Sequence, residues 1–292
     1  MNKHLLILGC GYVGTKLAQA CLKLGFQVSG TTRNKEHAQT LKKNGINPII
    51  IASPPDISDD ILAQTTHIID SIPLTRADNT MFASQIQWLP LLTPKLQHLK
   101  WAGYLSTTGV YGDAAGAWVD ESYKCQPSSP RGIERLKAEK AWLGSGLPAE
   151  IFRLAGIYGA ERNIIPRLMV GDYKAVQWNP PHYSSRIHVD DIVAALLAAM
   201  QQPRSGRVLN IADDLPLPHA DYVQQVAAMV VAPKPIILSP EEGKTQLSAT
   251  ALSFFSDNKR ISNQRLHEEL LPKLHYPSFK EGMTAILSRK ET

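Results

Sequence analysis

The chain is short of cysteine, of long apolar runs and of basic tracts, and each shortage excludes something. Its 292 residues contain 3 cysteines, Cys10, Cys21 and Cys125. An odd number at these spacings excludes a disulfide framework and a cysteine-based zinc site, and it fits a reducing compartment. No apolar run approaches the roughly 20 residues of a membrane span, so no membrane partner is expected. Leu5 to Leu8 ahead of Gly9 and Cys10 imitates a lipoprotein cleavage site, but the stretch is too short for a signal peptide. The expected location is the cytoplasm. The formal net charge is +5, and no basic run extends beyond Lys42-Lys43, so nucleic acid is not an expected partner. No metal-ligand spacing and no G-x-S-x-G occurs, so no metal site is expected. What remains is an ordinary soluble composition, 43% hydrophobic and 20% charged, long enough for one large or two modest domains.

What is present begins at once. Leu5-Leu6-Ile7-Leu8 reads as a short buried strand, and Gly9-Cys10-Gly11-Tyr12-Val13-Gly14 spells G-x-G-x-x-G. Leu17, Ala18, Cys21, Leu22 and Leu24 then fit one face of a helix. Glycines placed where a strand turns into a helix have separate duties. Gly9 permits the tight turn, Gly11 lets a pyrophosphate approach the backbone, and Gly14 lets helix and strand pack closely. The helix start offers free N–H groups and the positive end of its dipole. The reading is a dinucleotide-binding turn. The bland alternative is a glycine-rich turn without a ligand.

A second strand, Phe26 to Thr31, leads into Thr32-Arg33-Asn34. NAD-binding folds commonly carry an acid here for the ribose hydroxyls, and this chain has none. Arg33 supplies a guanidinium and Thr32 a hydroxyl, a pair suited to a 2′-phosphate. NADP is therefore the expected cofactor, with NAD the lesser choice. The alternative is a solvated arginine that opens the next helix. Lys35 to Asn44 reads as a helix ended by Gly45, Pro48 to Ile51 as a strand, His67 to Asp70 as a fourth strand, and Thr80 to Leu92 as one long helix. Ser71-Ile72-Pro73 follows the fourth strand at its carboxyl end, where open α/β sheets bind ligands. Strands alternating with helices imply a doubly wound parallel sheet.

Four later stretches narrow the class. They are Gly103-Tyr104-Leu105-Ser106-Thr107-Thr108-Gly109-Val110-Tyr111-Gly112, Pro127 to Gly132 with an amphipathic helix to Trp142, Phe152 to Gly159, and Arg186 to Ile192. In this order they resemble the extended short-chain dehydrogenase/reductase superfamily, the NAD(P)-dependent epimerase/dehydratase group, and its atypical bacterial branch of sugar-nucleotide enzymes. Val208 to Asp214, Lys259 to Asn263 and Tyr276 to Ser278 extend the resemblance over nearly the whole chain.

The resemblance implies an α/β fold, a Rossmann-type doubly wound parallel sheet with a smaller mixed C-terminal substrate domain. Residues 1–160, with 188–213 returning, would form the dinucleotide-binding domain, and 161–187 with 214–292 a substrate domain capping the sheet. Implied cofactor contacts are Gly9, Gly11, Tyr12, Val13, Gly14, Thr32, Arg33, Ser71, Ile72, Pro73, Ser106, Arg135, Ala155, Gly156 and Ile157. Active members use a Ser or Thr, a Tyr, and a Lys four residues after the Tyr. Thr107 takes the first place, but Arg131 and Arg135 hold the other two. Arginine stays protonated near neutrality and cannot serve as an acid or base. Arg135 can bind the nicotinamide ribose or a phosphate, and Arg131 can clamp an anionic substrate. The alternative leaves both as surface arginines with Glu134 and Glu139 as local partners. Tyr158 is the candidate replacement for the tyrosine. His188, Asp190 and Asp191 read as a helix start rather than a metal site.

Two functions follow from the resemblance. One is an NADP-binding oxidoreductase or epimerase acting on a nucleotide sugar or another small anionic carbonyl or hydroxyl compound. The other is an inactive NADP(H)-binding sensor or regulatory scaffold. A monomer or homodimer is expected.

Overall fold

The computed structural model describes residues 3–77 and 80–288. Seven parallel strands form the central sheet: β1 (His4–Leu8), β2 (Gln27–Thr32), β3 (Asn47–Ile50), β4 (His67–Asp70), β5 (Trp101–Thr107), β6 (Ala149–Leu154) and β7 (Val208–Ile211). They lie in the order β7-β6-β5-β4-β1-β2-β3. All five residues of β1 are buried, as a central parallel strand covered on both faces requires. Leu6 pairs with Ser29 on one side and with Ile68 on the other. The chain therefore reverses direction of winding at β1 and β4, and the crevice at their carboxyl ends is where such sheets bind ligands.

Helices α1 (Tyr12–Lys23), α2 (Lys35–Lys43), α3 (Asp59–Gln64), α4 (Gln85–Leu92) and α5 (Pro130–Leu143) connect the strands. α1 buries Val13, Gly14, Leu17, Ala18 and Cys21, the stripe expected from its apolar spacing. α4 and α5 bring Trp88 and Trp142 together edge to face, 6.0 Å between centroids, in a cluster with Leu6, Leu8, Ile68 and Tyr104 of the sheet. α5 starts at Pro130, with Ser129 accepting a hydrogen bond from the Gly132 N–H, a standard helix start. The stretch Thr80 to Leu92 is not one helix. Thr80–Phe82 is a strand paired with Thr75–Ala77, and only Gln85–Leu92 is helical. The run Thr80-Met81-Phe82 goes to a short antiparallel strand pair, since β-branched and aromatic side chains such as Thr80 and Phe82 suit a pleated surface.

The chain divides into two compact units. The first comprises residues 1–110, 129–153 and 192–209, and the second 111–128, 154–191 and 210–292. Residues 111–128, 154–160, 188–191 and 210–213, expected in the dinucleotide-binding domain, group with the second unit. The reason is local: Trp118-Val119 pairs with Arg260-Ile261, and Lys259 donates its ammonium to the Gly112 carbonyl at 2.8 Å. Within this unit, Gly156–Tyr158 pairs with Arg186–His188, and helices His219–Met229 and Phe279–Ser288 pack Tyr222, Val226, Phe279 and Met283 into its core. Val189 opens a helix running to Gln201, and Asp191 accepts the backbone N–H groups of His275 and Tyr276.

Candidate functional site

The glycine-rich turn has the geometry its sequence calls for. Gly9 has φ +72°, a left-handed conformation, and a Cβ there would lie 3.1 Å from the Ile72 backbone. The turn after β1 and the turn after β4 are thus packed on each other. A Cβ on Gly14 would meet Ile7 Cγ2 at 2.9 Å, so α1 lies against β1 as only glycine allows. Gly11 is different. It is exposed, and among the described residues, its two chain neighbours aside, a Cβ there would find no atom nearer than the Gly9 carbonyl oxygen at 3.9 Å. Nothing in the fold demands glycine at position 11, which leaves backbone access for a ligand as its physical use. The Thr15 N–H bonds back to the Gly11 carbonyl at 2.8 Å, so the helix ladder begins there with its orphan donors ahead of it. The first turn of α1 holds no acidic residue, and its positive end is not neutralised from within. Val13 is buried and Tyr12 half-buried. Burial pushes the Cys10 thiol up to about 11, which makes it an inert packing group.

Beside this turn stands the start of α2. Thr32 accepts the Asn34 N–H at 3.1 Å, and Asn34 caps α2 by accepting the His37 N–H at 2.9 Å. Arg33 is exposed and makes no hydrogen bond or ion pair among the described residues. His37, absent from the sequence reading, places Nε2 2.7 Å from the Cys10 carbonyl. That bond ties the α2 start to the glycine-rich turn. The only prior signal was the histidine's position three residues after a capping asparagine.

The carboxyl ends of β4 and β5 supply the rest of the first unit's set. Asp70 is fully buried, accepts the Ile72 N–H at 2.9 Å, and takes hydrogen bonds from Gln85 and Trp142. Burial raises its pKa, while those donors oppose the rise. The bonds fix Ser71 and Ile72, both half-buried, with Pro73 exposed beyond them. Arg135 reaches this turn from α5. Its Nη1 donates to Tyr104 Oη at 2.9 Å and to the Ile72 and Leu105 carbonyls at 3.4 Å. Ser106 is buried and donates to Glu139 at 2.5 Å, and Glu139 also holds Arg153 at 2.8 Å. Glu139 therefore partners Ser106 and Arg153, not Arg135, and Glu134 pairs with Lys137. Thr107 is half-buried, and its Oγ1 accepts the Gly109 N–H at 3.2 Å, which leaves the hydroxyl proton to donate. Arg131 is exposed on the first turn of α5.

The remaining candidates belong to the second unit. Ala155 is buried, its N–H bonding to the Ile211 carbonyl at 3.0 Å, while Gly156 is exposed and Ile157 half-buried. Tyr158 is buried, with its hydroxyl donated to the Ser278 carbonyl and its ring edge to face with His188 at 5.1 Å. Burial, then the Asp213 carboxyl, raises its pKa above the ordinary phenol value. A Cβ on Gly282 would collide with this ring. The geometry gives Tyr158 a packing role within its unit. Among the described residues no cluster of three His, Cys, Asp or Glu could hold a metal, and no helix is long and apolar enough to cross a membrane.

The sheet order, the turn and the crevice define a Rossmann-type α/β fold, the fold of solved short-chain dehydrogenases/reductases. The chain belongs to one family with a functionally unknown conserved protein from Silicibacter pomeroyi DSS, 34% identical, which it matches over 100% of both chains with a TM-score of 0.89. Protein YeeZ of Escherichia coli K12 is 26% identical over 90% of this chain and 94% of its own. Two structures at 16% identity share the fold. Human epimerase family protein SDR39U1, solved with NADPH, is covered to 99% by 98% of this chain at a TM-score of 0.76. A short-chain dehydrogenase/reductase superfamily protein from Agrobacterium tumefaciens, solved with NAD, is covered to 97% by 99% of this chain at 0.75. No family model matches the chain.

Proposed function

We propose that this protein binds NADP(H) and acts as an oxidoreductase or epimerase on a small anionic carbonyl or hydroxyl compound, a nucleotide sugar being the leading class. The observation that carries the reading is the open space over Gly11 at the mouth of α1, beside the unpaired guanidinium of Arg33. A dinucleotide fits these residues. The glycine-rich turn and α1 would hold the pyrophosphate, Thr32 and Arg33 the 2′-phosphate, and Ser71 to Pro73 with Arg135 the path toward the nicotinamide. The bound nicotinamide would supply hydride exchange. Thr107 would donate its hydroxyl proton to a substrate oxygen, and Arg131 would fix the substrate's negative charge. Fluorescence titration with NADPH and NADH, followed by an NADPH-oxidation panel of nucleotide sugars and small ketones, tests the reading. NADPH bound at least tenfold tighter than NADH supports it, and equal affinities overturn the cofactor choice.

One observation favours a second reading, a cofactor sensor without catalysis. Both positions for the acid–base pair carry arginine, and Arg135 spends Nη1 on three scaffold acceptors. NADPH binding with no turnover on any panel member would select this reading.

A further inference from the structure

At the amino-terminal edge of the sheet, opposite the glycine-rich turn, a second cleft opens inside the first unit. Its volume is ≈ 420 Å³, within the range of small-molecule sites. Phe26, Leu197 and Met200 give it an apolar wall, and Lys3, Lys100 and His67 line it with them. Among the described residues no carboxylate lines it. Lys3 lies 5.2 Å from the Phe26 ring centroid, and neither lysine makes an ion pair among the described residues. Thr66, bonded to both the His4 N–H and its carbonyl, meets His67 Nδ1 at 2.9 Å, and the His67 ring stands edge-on to Phe26 at 5.2 Å. Thr66 gives its proton to the His4 carbonyl in this arrangement. His67 then donates from Nδ1 and keeps a lone pair on Nε2.

Two cations facing one cleft without a counter-ion among the described residues repel each other and the protonated imidazole. Burial and these two ammoniums together lower His67 to about 4, so the ring is neutral at physiological pH. An anion placed between the lysines relieves that repulsion. A hydrophobic body gains in addition from Phe26, Leu197 and Met200, at the usual return on buried apolar area.

We infer that this cleft is a second small-molecule site, for a compact hydrophobic carboxylate held by Lys3 and Lys100 against the Phe26 wall. The anion could equally be a phosphate by charge alone, and the apolar wall favours the organic acid. The site is independent of the cofactor reading, because every residue in it lies at the other end of the strands.

The test uses the full chain labelled at histidine, with three probes: indole-3-acetate, its neutral amide, and inorganic phosphate. The acid should shift the His67 resonances and raise the His67 pKa, and should bind at least tenfold more tightly than the amide or phosphate. In the Lys3→Met/Lys100→Met variant, both changes being at exposed side chains, its affinity should fall at least tenfold with NADPH binding unchanged. Equal binding of acid and amide overturns the proposal, as does phosphate binding as tightly as the acid. Unchanged affinity in the double variant, or a silent His67 up to about 10 mM acid, the weak limit of specific binding, overturns it as well.

Discussion

Arg135 donates Nη1 to the hydroxyl of Tyr104 at 2.9 Å, and the same nitrogen lies 3.4 Å from the Ile72 and Leu105 carbonyls. The pair joins α5 to β5 and to the turn after β4. Tyr104 is fully buried, and burial raises its pKa, so the phenol stays protonated and serves as an anchor. Arginine offers five donors, and the bonds to the scaffold come from one nitrogen. The charge is therefore held in place while the rest of the fork can meet a ligand. This is a positioning geometry, one that a flexible lysine would not reproduce.

The three motif glycines should respond differently to substitution. Gly11→Val adds a side chain to open space, so the fold should survive with dinucleotide binding abolished. Gly14→Ala forces a Cβ to within 2.9 Å of Ile7 Cγ2 and should destabilise by about 1–3 kcal/mol through overpacking, offset by up to about 1 kcal/mol of helix propensity. Melting curves with and without NADPH separate the two. An NADPH shift in Gly11→Val equal to the parent's places the pyrophosphate elsewhere.

Arg33→Ala should weaken NADPH binding about tenfold, the effect of one lost charge-assisted contact, with NADH affinity unchanged. The measurement is paired fluorescence titration. A loss that is equal for both cofactors would assign Arg33 to some shared part of the dinucleotide.

The sequence makes the sheet legible because local chemistry decides it. A buried apolar tetrad followed by Gly9, Gly11 and Gly14 permits one arrangement, and β4 falls at His67–Asp70 as its pattern indicates. Thr80–Phe82 was misleading, since apolar residues three apart suit a helix and a three-residue strand alike. The site's supports are the least visible part. His37 meets Cys10 from 27 residues away, and Glu139 crosses from α5 to Arg153 of β6. Spacing along α5 offered Glu139 as a local partner for the arginines only under the surface-arginine alternative, because helix periodicity records which residues share a face and not which strand that face meets.

Glu139→Gln should cost about 3–5 kcal/mol, the penalty for stripping one partner from a buried ion pair. Glu139 is 1% exposed and Arg153 6%, so water cannot replace the carboxylate. Urea denaturation measures the change. A loss below about 1 kcal/mol, the worth of a surface pair, would mean that this pair is hydrated in solution.

Asp213 gives the second unit a pH signature. Its carboxyl is buried, and desolvation raises its pKa from 3.8 to about 8 despite the nearby Arg186. Below 3.8 both folded and unfolded chains hold the proton. Between 3.8 and about 8 the unfolded chain releases it and the folded one retains it, so this group's contribution to stability falls as pH rises. Asp213→Asn removes the titration. Relative to the parent, the variant's melting temperature should climb from about pH 4 to about pH 8 and then level off. Parallel profiles would show that Asp213 titrates normally.

The chemistry is tested by introducing the acid–base pair of the enzymes the chain resembles. Arg131→Tyr with Arg135→Lys supplies a phenol and, four residues on, an ammonium able to lower its pKa. The lysine loses the planar fork that serves Tyr104, Ile72 and Leu105, so the double variant should melt lower than the parent. Under the catalytic reading, native turnover depends on the arginine charges to orient an anionic substrate. Losing one charge-assisted contact of about 1.5–3 kcal/mol should then raise KM roughly tenfold to a hundredfold. Under the sensor reading, the parent is silent and the double variant gains slow reduction of a generic ketone, far below the roughly 10 per second of a typical enzyme. The assay is NADPH oxidation by parent and variant on the same panel. A parent that turns over at a typical rate, with the variant undiminished, would remove both arginines from the chemistry and leave Thr107 as the residue to pursue.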